Sequence, residues 1–185
     1  MFTFGKKFEK PQPKINNMKS IFAIIALFAV ISVAAQTSTV PTVDIKKPDG
    51  TVISTDSIVN SGKPIIVSFW ATWCKPCVKE LTTISEVYEE WQEETGVKLY
   101  AISIDDSRTF ANVAAFVNGR DWPFDVYCDP NQELKQKMNV NLVPHTFILD
   151  KDRNIVWQHT SFTEGGELEL IEIVRKLNRG ETISE

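Results

Sequence analysis

The chain has 185 residues, 43% hydrophobic and 24% charged, which suits one well-packed globular domain and excludes a disordered, collagenous or disulfide-dense chain. Its formal net charge is −4, with no extended basic stretch in the main body, so nucleic acid has no electrostatic footprint here. Three cysteines cannot pair fully within one chain.

Residues 1–35 read as an N-terminal extension with a signal peptide. Met18-Lys19 precedes an apolar run from Ile21 to Val33, too short to span a bilayer comfortably. Small residues at Ala34 and Ala35 follow, and cleavage is expected after Ala35. An uncleaved membrane tether is the alternative, and it leaves the compartment unchanged. Met18 is an alternative initiator. These residues hold five Lys and one Glu, so their loss takes the chain from −4 to about −8. An exported, acidic domain over residues 36–185 is the expectation.

After a polar lead-in, Val43 to Ile53 reads as a hairpin turning at Pro48-Asp49-Gly50. Ile65 to Trp70 is nearly all apolar, the signature of a strand covered on both faces. Val78, Leu81, Ile84, Val87, Tyr88 and Trp91 recur at helical spacing up to a stop at Gly96. With Val97 to Ile104 as a strand, 65–104 becomes a βαβ unit with parallel strands. Ser107 is placed to cap a helix with Phe110, Val113, Ala114 and Val117 inward, closed by Gly119. Phe124 to Cys128 reads as a strand. Asp129-Pro130 is expected to open a helix, with Gln132 as capping-box partner and Leu134 and Met138 facing the core. Thr146–Asp150 and Asn154–Gln158 read as a strand pair. A closing helix over 166–177 is expected to carry Leu168, Leu170, Ile171, Val174 and Leu177 on its apolar positions. The class is α/β with a mixed central sheet flanked by helices.

Cys74-Lys75-Pro76-Cys77 lies where the buried strand gives way to the helix. A cysteine at a helix N-terminus meets free N–H groups and the positive end of the dipole, so its thiolate is favoured. Cys77 sits one turn further in, placed to attack a mixed disulfide on Cys74. Pro76 is tolerated because first-turn N–H groups lack helical partners anyway. Trp73 is expected to shield one side. A zinc site needs a second close ligand pair, and the only histidines are His145 and His159, so no metal is expected. An inert disulfide would close a very small loop and constrain the unfolded chain little.

Phe69-Trp70-Ala71-Thr72-Trp73-Cys74-Lys75-Pro76-Cys77 resembles the active-site segment of the TlpA/ResA branch of the thioredoxin superfamily. Val143-Pro144-His145-Thr146-Phe147 is similar to that family's later segment, and the likeness runs from about Val43 to Leu177. It implies a thioredoxin-like fold with an N-terminal hairpin and a central helix–strand insertion. It implies Cys74 as attacking and Cys77 as resolving cysteine, and Pro144 as a cis-proline presenting backbone to an extended substrate beside Val143 and Trp73. Glu80 matches a family glutamate that would take the resolving thiol's proton; a solvated surface glutamate is the rival reading. Ser68 stands where cytoplasmic thioredoxins carry a buried Asp, which leaves Glu80 as the nearest acceptor. Leu81-Thr82 replace a helix-kinking proline of many relatives, and His145 stands where Thr is commoner. His145 reads either as a cation beside a thiolate or as a partly exposed residue at a strand start. Cys128 reads as an inert buried thiol.

The resemblance implies an extracytoplasmic dithiol reductase of protein disulfides, in the periplasm or cell envelope. It would use no cofactor and would draw electrons from a membrane thiol donor. A disulfide-forming oxidase and a non-catalytic binding module are the alternatives. A peroxide-reducing relative would carry Thr or Ser at position 71, where this chain has Ala71.

Overall fold

The computed structural model describes residues 38–183; the expected signal segment and its cleavage point lie outside them. The hairpin forms as expected. Strands β1 (Asp44–Lys46) and β2 (Val52–Ser54) pair antiparallel. Gly50 closes the turn in the left-handed region, where a missing Cβ removes the steric cost, and its N–H donates to Lys47 O.

Strand β3 (Ile65–Trp70) is buried along its whole length, so the nearly continuous apolar run reports burial on both faces. It lies in the middle of a seven-stranded sheet, order β2-β1-β5-β4-β3-β6-β7. Helix α1 (Lys75–Thr95) carries the chain over to β4 (Lys98–Ser103), which pairs parallel to β3. Leu81, Ile84, Tyr88 and Trp91 are its buried stripe, and Gly96 ends it in the left-handed conformation. Beyond Pro76 in its first turn, the helix contains no proline.

Helix α2 (Phe110–Asn118) and strand β5 (Asp125–Cys128) follow as the insertion, β5 parallel to β4. The expected cap at Ser107 is corrected. Thr109 precedes the helix without a side-chain cap, and a turn in which Thr109 and Phe110 N–H donate to Asp106 O occupies the entry instead. Gly119 closes α2 without a left-handed backbone.

The short helix α3 (Glu133–Lys137) begins three residues later than Asp129-Pro130 suggested, because Gln132 adopts a left-handed conformation. Asp129 still supplies the cap at a distance, accepting from the N–H groups of Glu133 and Lys135. Gln132 is no capping-box partner; its side chain donates to Ile104 O.

Strands β6 (His145–Leu149) and β7 (Ile155–Thr160) complete the sheet, β6 antiparallel to β3. Helix α4 (Gly166–Asn178) packs on α1, with Leu170, Ile171, Ile173 and Val174 buried. Leu168, expected inward, is exposed.

Side chains two apart on a strand share a face. Ser68 meets the α1 side of the sheet, while Trp70 packs on Phe116 of α2 at 5.5 Å and on Trp122 at 5.1 Å. Helices α1 and α2 thus cover the same face, and the sheet's C-terminal edge at Trp70 opens onto the cysteine pair.

Candidate active site

Cys74 is the N-cap of α1, and a disulfide joins it to Cys77 across the first turn. Its Sγ accepts the N–H of Cys77 at 3.3 Å. The same N–H would face a thiolate after reduction and would favour it, as a helix N-terminus does. Pro76 falls in the first turn, where it forfeits no helical bond. Cys77 is more deeply buried than Cys74, so an incoming disulfide reaches Cys74 first.

Trp73 and Leu142 stand exposed on the two loops that frame the pair. Trp73 therefore presents much of its surface to solvent beside the site. The Val143–Pro144 peptide bond is cis, and the Val143 carbonyl oxygen lies 3.7 Å from Cys74 Sγ. Two loops remote in sequence thus meet at one sulfur atom.

Glu80 is buried, which removes the reading of a solvated surface residue. Its Oε1 accepts the Thr146 hydroxyl at 2.8 Å, and Thr146 Oγ1 lies 3.1 Å from Ser68 Oγ. Its Oε2 has no partner. Burial pushes the Glu80 pKa up to about 7, against the opposing pull of the Thr146 bond. A carboxyl with that pKa, one turn from Cys77, can hold or release a proton at neutral pH. The Ser68–Thr146–Glu80 group fills the interior where an acid on β3 would otherwise sit. Thr146→Val removes the donor that favours the carboxylate. Its Glu80 is expected to titrate above 7, its proton affinity up roughly tenfold, as followed by the side-chain carboxyl 13C signal against pH.

His145 is buried at the start of β6, not partly exposed. Its ring stacks on Phe147, and Nε2 lies 3.1 Å from Gln158 Oε1. Burial lowers its pKa, which favours the neutral ring. Cys128 is buried at the end of β5, and burial, then the charge of Asp105, push its thiol up to about 12. That makes it unreactive. The folded, oxidised protein is expected to show no thiol reactive toward a chromogenic disulfide reagent at pH 8, and one after denaturation. A reactive thiol in the folded state would contradict the burial.

No cluster of metal-ligating side chains occurs among the described residues, and no helix there is long and apolar enough to cross a membrane. One buried carboxylate close to the site, Asp105, carries no signal in the sequence that sets it apart from Asp106. It holds the backbone and hydroxyl of Thr72.

Comparison with known proteins gives a consistent picture. Residues 37–158 match the model of the AhpC/TSA family. The thiol-disulfide oxidoreductase ResA of Bacillus thuringiensis is 37% identical over 97 residues, covering 52% of this chain and 54% of that protein. ResA of Oceanobacillus iheyensis is 33% identical over 94 residues, 51% of this chain and 47% of that protein. The chain spans about half the length of the curated relatives it matches. A thioredoxin-like protein of Porphyromonas gingivalis shares 46% identity with a TM-score of 0.68, covering 76% of this chain and 92% of that structure. StoA of Bacillus subtilis, 25% identical, superposes with a TM-score of 0.58 over 72% of this chain and 97% of its own. The fold is thioredoxin-like.

Proposed function

Because the chain belongs to the AhpC/TSA family, we propose that it is a thiol–disulfide oxidoreductase that reduces protein disulfides through Cys74 and Cys77. The observation that carries this reading is the Cys74–Cys77 disulfide at the mouth of α1, with the Cys77 N–H directed at Cys74 Sγ. The names of the ResA relatives support it.

In the working direction the reduced Cys74 thiolate attacks one sulfur of a substrate disulfide. A Cys74–substrate disulfide forms, and the first substrate sulfur leaves as a thiolate and takes a proton. Cys77 then gives its proton to the Glu80 carboxylate and attacks Cys74 Sγ. The Cys74–Cys77 disulfide forms, the mixed disulfide breaks, and the second substrate thiol leaves. Two electrons pass from protein to substrate. A second dithiol must return them before the next turnover.

Trp73, Val143 and Pro144 form the substrate-contacting rim in this reading. Trp73 offers an exposed ring, and the 143–144 segment offers backbone at the reacting sulfur. The apolar run Ile21–Val33 supports export to the cell envelope, where a membrane thiol donor would supply the electrons. The test is the reduction potential of the couple in the full chain, equilibrated with glutathione or dithiothreitol. A value near or below about −230 mV supports a reductase, and one near about −120 mV assigns the same cysteines to disulfide formation.

A further inference from the structure

Immediately past β4 the chain buries a carboxylate that the exchange chemistry above does not use. Asp105 is fully buried. Its Oδ2 accepts the backbone N–H of Thr72 at 2.8 Å and the Ser103 hydroxyl at 2.8 Å. Its Oδ1 accepts the Thr72 hydroxyl at 2.6 Å. Ser103 Oγ in turn accepts the Asp105 N–H at 3.1 Å, which commits the Ser103 proton to the carboxylate. Every partner is a neutral donor. None of the ion pairs among the described residues includes Asp105; the neighbouring cation, Arg108, is held by Asp106.

We propose that Asp105 is a positioning residue for the redox loop, and that its uncompensated charge weights the Cys74–Cys77 couple toward the disulfide, making the dithiol a stronger reductant. The positioning half follows from what Thr72 belongs to. Ala71 to Cys74 is one turn, closed by the Cys74 N–H on Ala71 O at 3.0 Å. Gripping Thr72 by both backbone and hydroxyl therefore fixes where Cys74 enters α1.

The electrostatic half follows from burial. The field of a buried carboxylate among neutral dipoles carries further than it would in water, because its surroundings polarise little. That field opposes the thiolate which the helix N-terminus and the Cys77 N–H favour. A couple whose thiolate is less stabilised is harder to reduce and gives up electrons more readily. Cys128, at the end of the strand next to β4, feels the same charge: burial first, then Asp105, raises its thiol pKa.

This inference rests on the exchange activity proposed above, and its test separates the two. Full-length wild type, Asp105→Asn and Thr72→Val are equilibrated with glutathione, and the fraction of Cys74–Cys77 disulfide is read by alkylation and mass spectrometry. Asn keeps the shape and most of the hydrogen bonds but removes the charge. The expected result is at least a tenfold shift toward the dithiol, equivalent to about 30 mV. Thr72→Val, which cuts one contact and leaves the charge, is expected to give no shift toward the dithiol. An unchanged equilibrium in Asp105→Asn, or a matching dithiol shift in Thr72→Val, overturns the proposal.

Should Asp105→Asn fail to fold, the wild type alone decides. The Asp105 carboxyl 13C signal is expected to move as the Cys74 thiolate titrates in the reduced protein, and a static signal contradicts the coupling. A wild-type couple that does not equilibrate with glutathione at all would refute the exchange activity itself.

Discussion

Cys74→Ser is expected to abolish disulfide exchange, with a loss of at least about a thousandfold in turnover, because Cys77, buried and left without its partner, cannot complete the cycle. Cys128 is the only other thiol beyond the pair, and its burial and raised pKa keep it from substituting. Cys77→Ser behaves differently. It keeps the nucleophile at the helix N-terminus and removes only the group that resolves the mixed disulfide. The variant should therefore accumulate covalent complexes with substrate proteins, seen as higher-mass bands on non-reducing gels that vanish with dithiothreitol. Cys77→Ser without such complexes would favour a thioredoxin-fold module that binds partners without turnover.

Glu80→Gln is expected to slow the resolving step by about a hundredfold and to stabilise the protein at the same time. The kinetic loss follows from removing a general base. In the wild type the rate of resolution should rise with pH through about 7 as Glu80 becomes a carboxylate, and the variant should lose that inflection. Stopped-flow measurement of product release against pH reads both effects.

The stability change has a definite sign. The Glu80 carboxyl titrates near 4.5 when unfolded and near 7 when folded. Between those values the folded state holds a proton that the unfolded state has lost, so stability falls as pH rises through this window and stays reduced above it. The cost above pH 7 is about 3 kcal/mol at this shift, to order of magnitude. Gln carries no charge to desolvate. Urea denaturation should thus find Glu80→Gln close to the wild type near pH 4 and more stable than it at pH 8. A variant that is no more stable at pH 8 would mean that Glu80 is not ionised at a cost in the folded protein. Stability conceded at this position is what an ionisable group next to the resolving cysteine requires.

Much of this was legible in residue order. The run Ile65–Trp70, apolar but for Ser68, reads as a strand covered on both faces, and the 3.6-residue spacing from Val78 to Trp91 places the cysteines at a helix start. Other features were not, for identifiable reasons. Helix α1 carries Glu86, Glu89, Glu90, Glu93 and Glu94 besides Glu80, all alike by residue type. What buries Glu80 and not the rest is its position against Thr146, 66 residues further along the chain. Asp105 and Asp106 look interchangeable in sequence, yet one is fully buried beneath the redox loop and the other pairs with exposed Arg108. The entry to α3 was misplaced because a left-handed backbone at Gln132 has no sequence signal as strong as glycine. Leu168 fits the helical period but lies where α4 faces solvent.

Everything above depends on Cys74 and Cys77 forming one reversible redox pair. The most direct test takes the full-length protein through graded glutathione buffers, alkylates free thiols and maps the labels by mass spectrometry. Cys74 and Cys77 are expected to gain and lose label together along a single two-electron curve, while Cys128 in the folded protein stays unlabelled throughout. A Cys74–Cys77 bond that stays closed across the full range, or two cysteines labelled independently of one another, would contradict it.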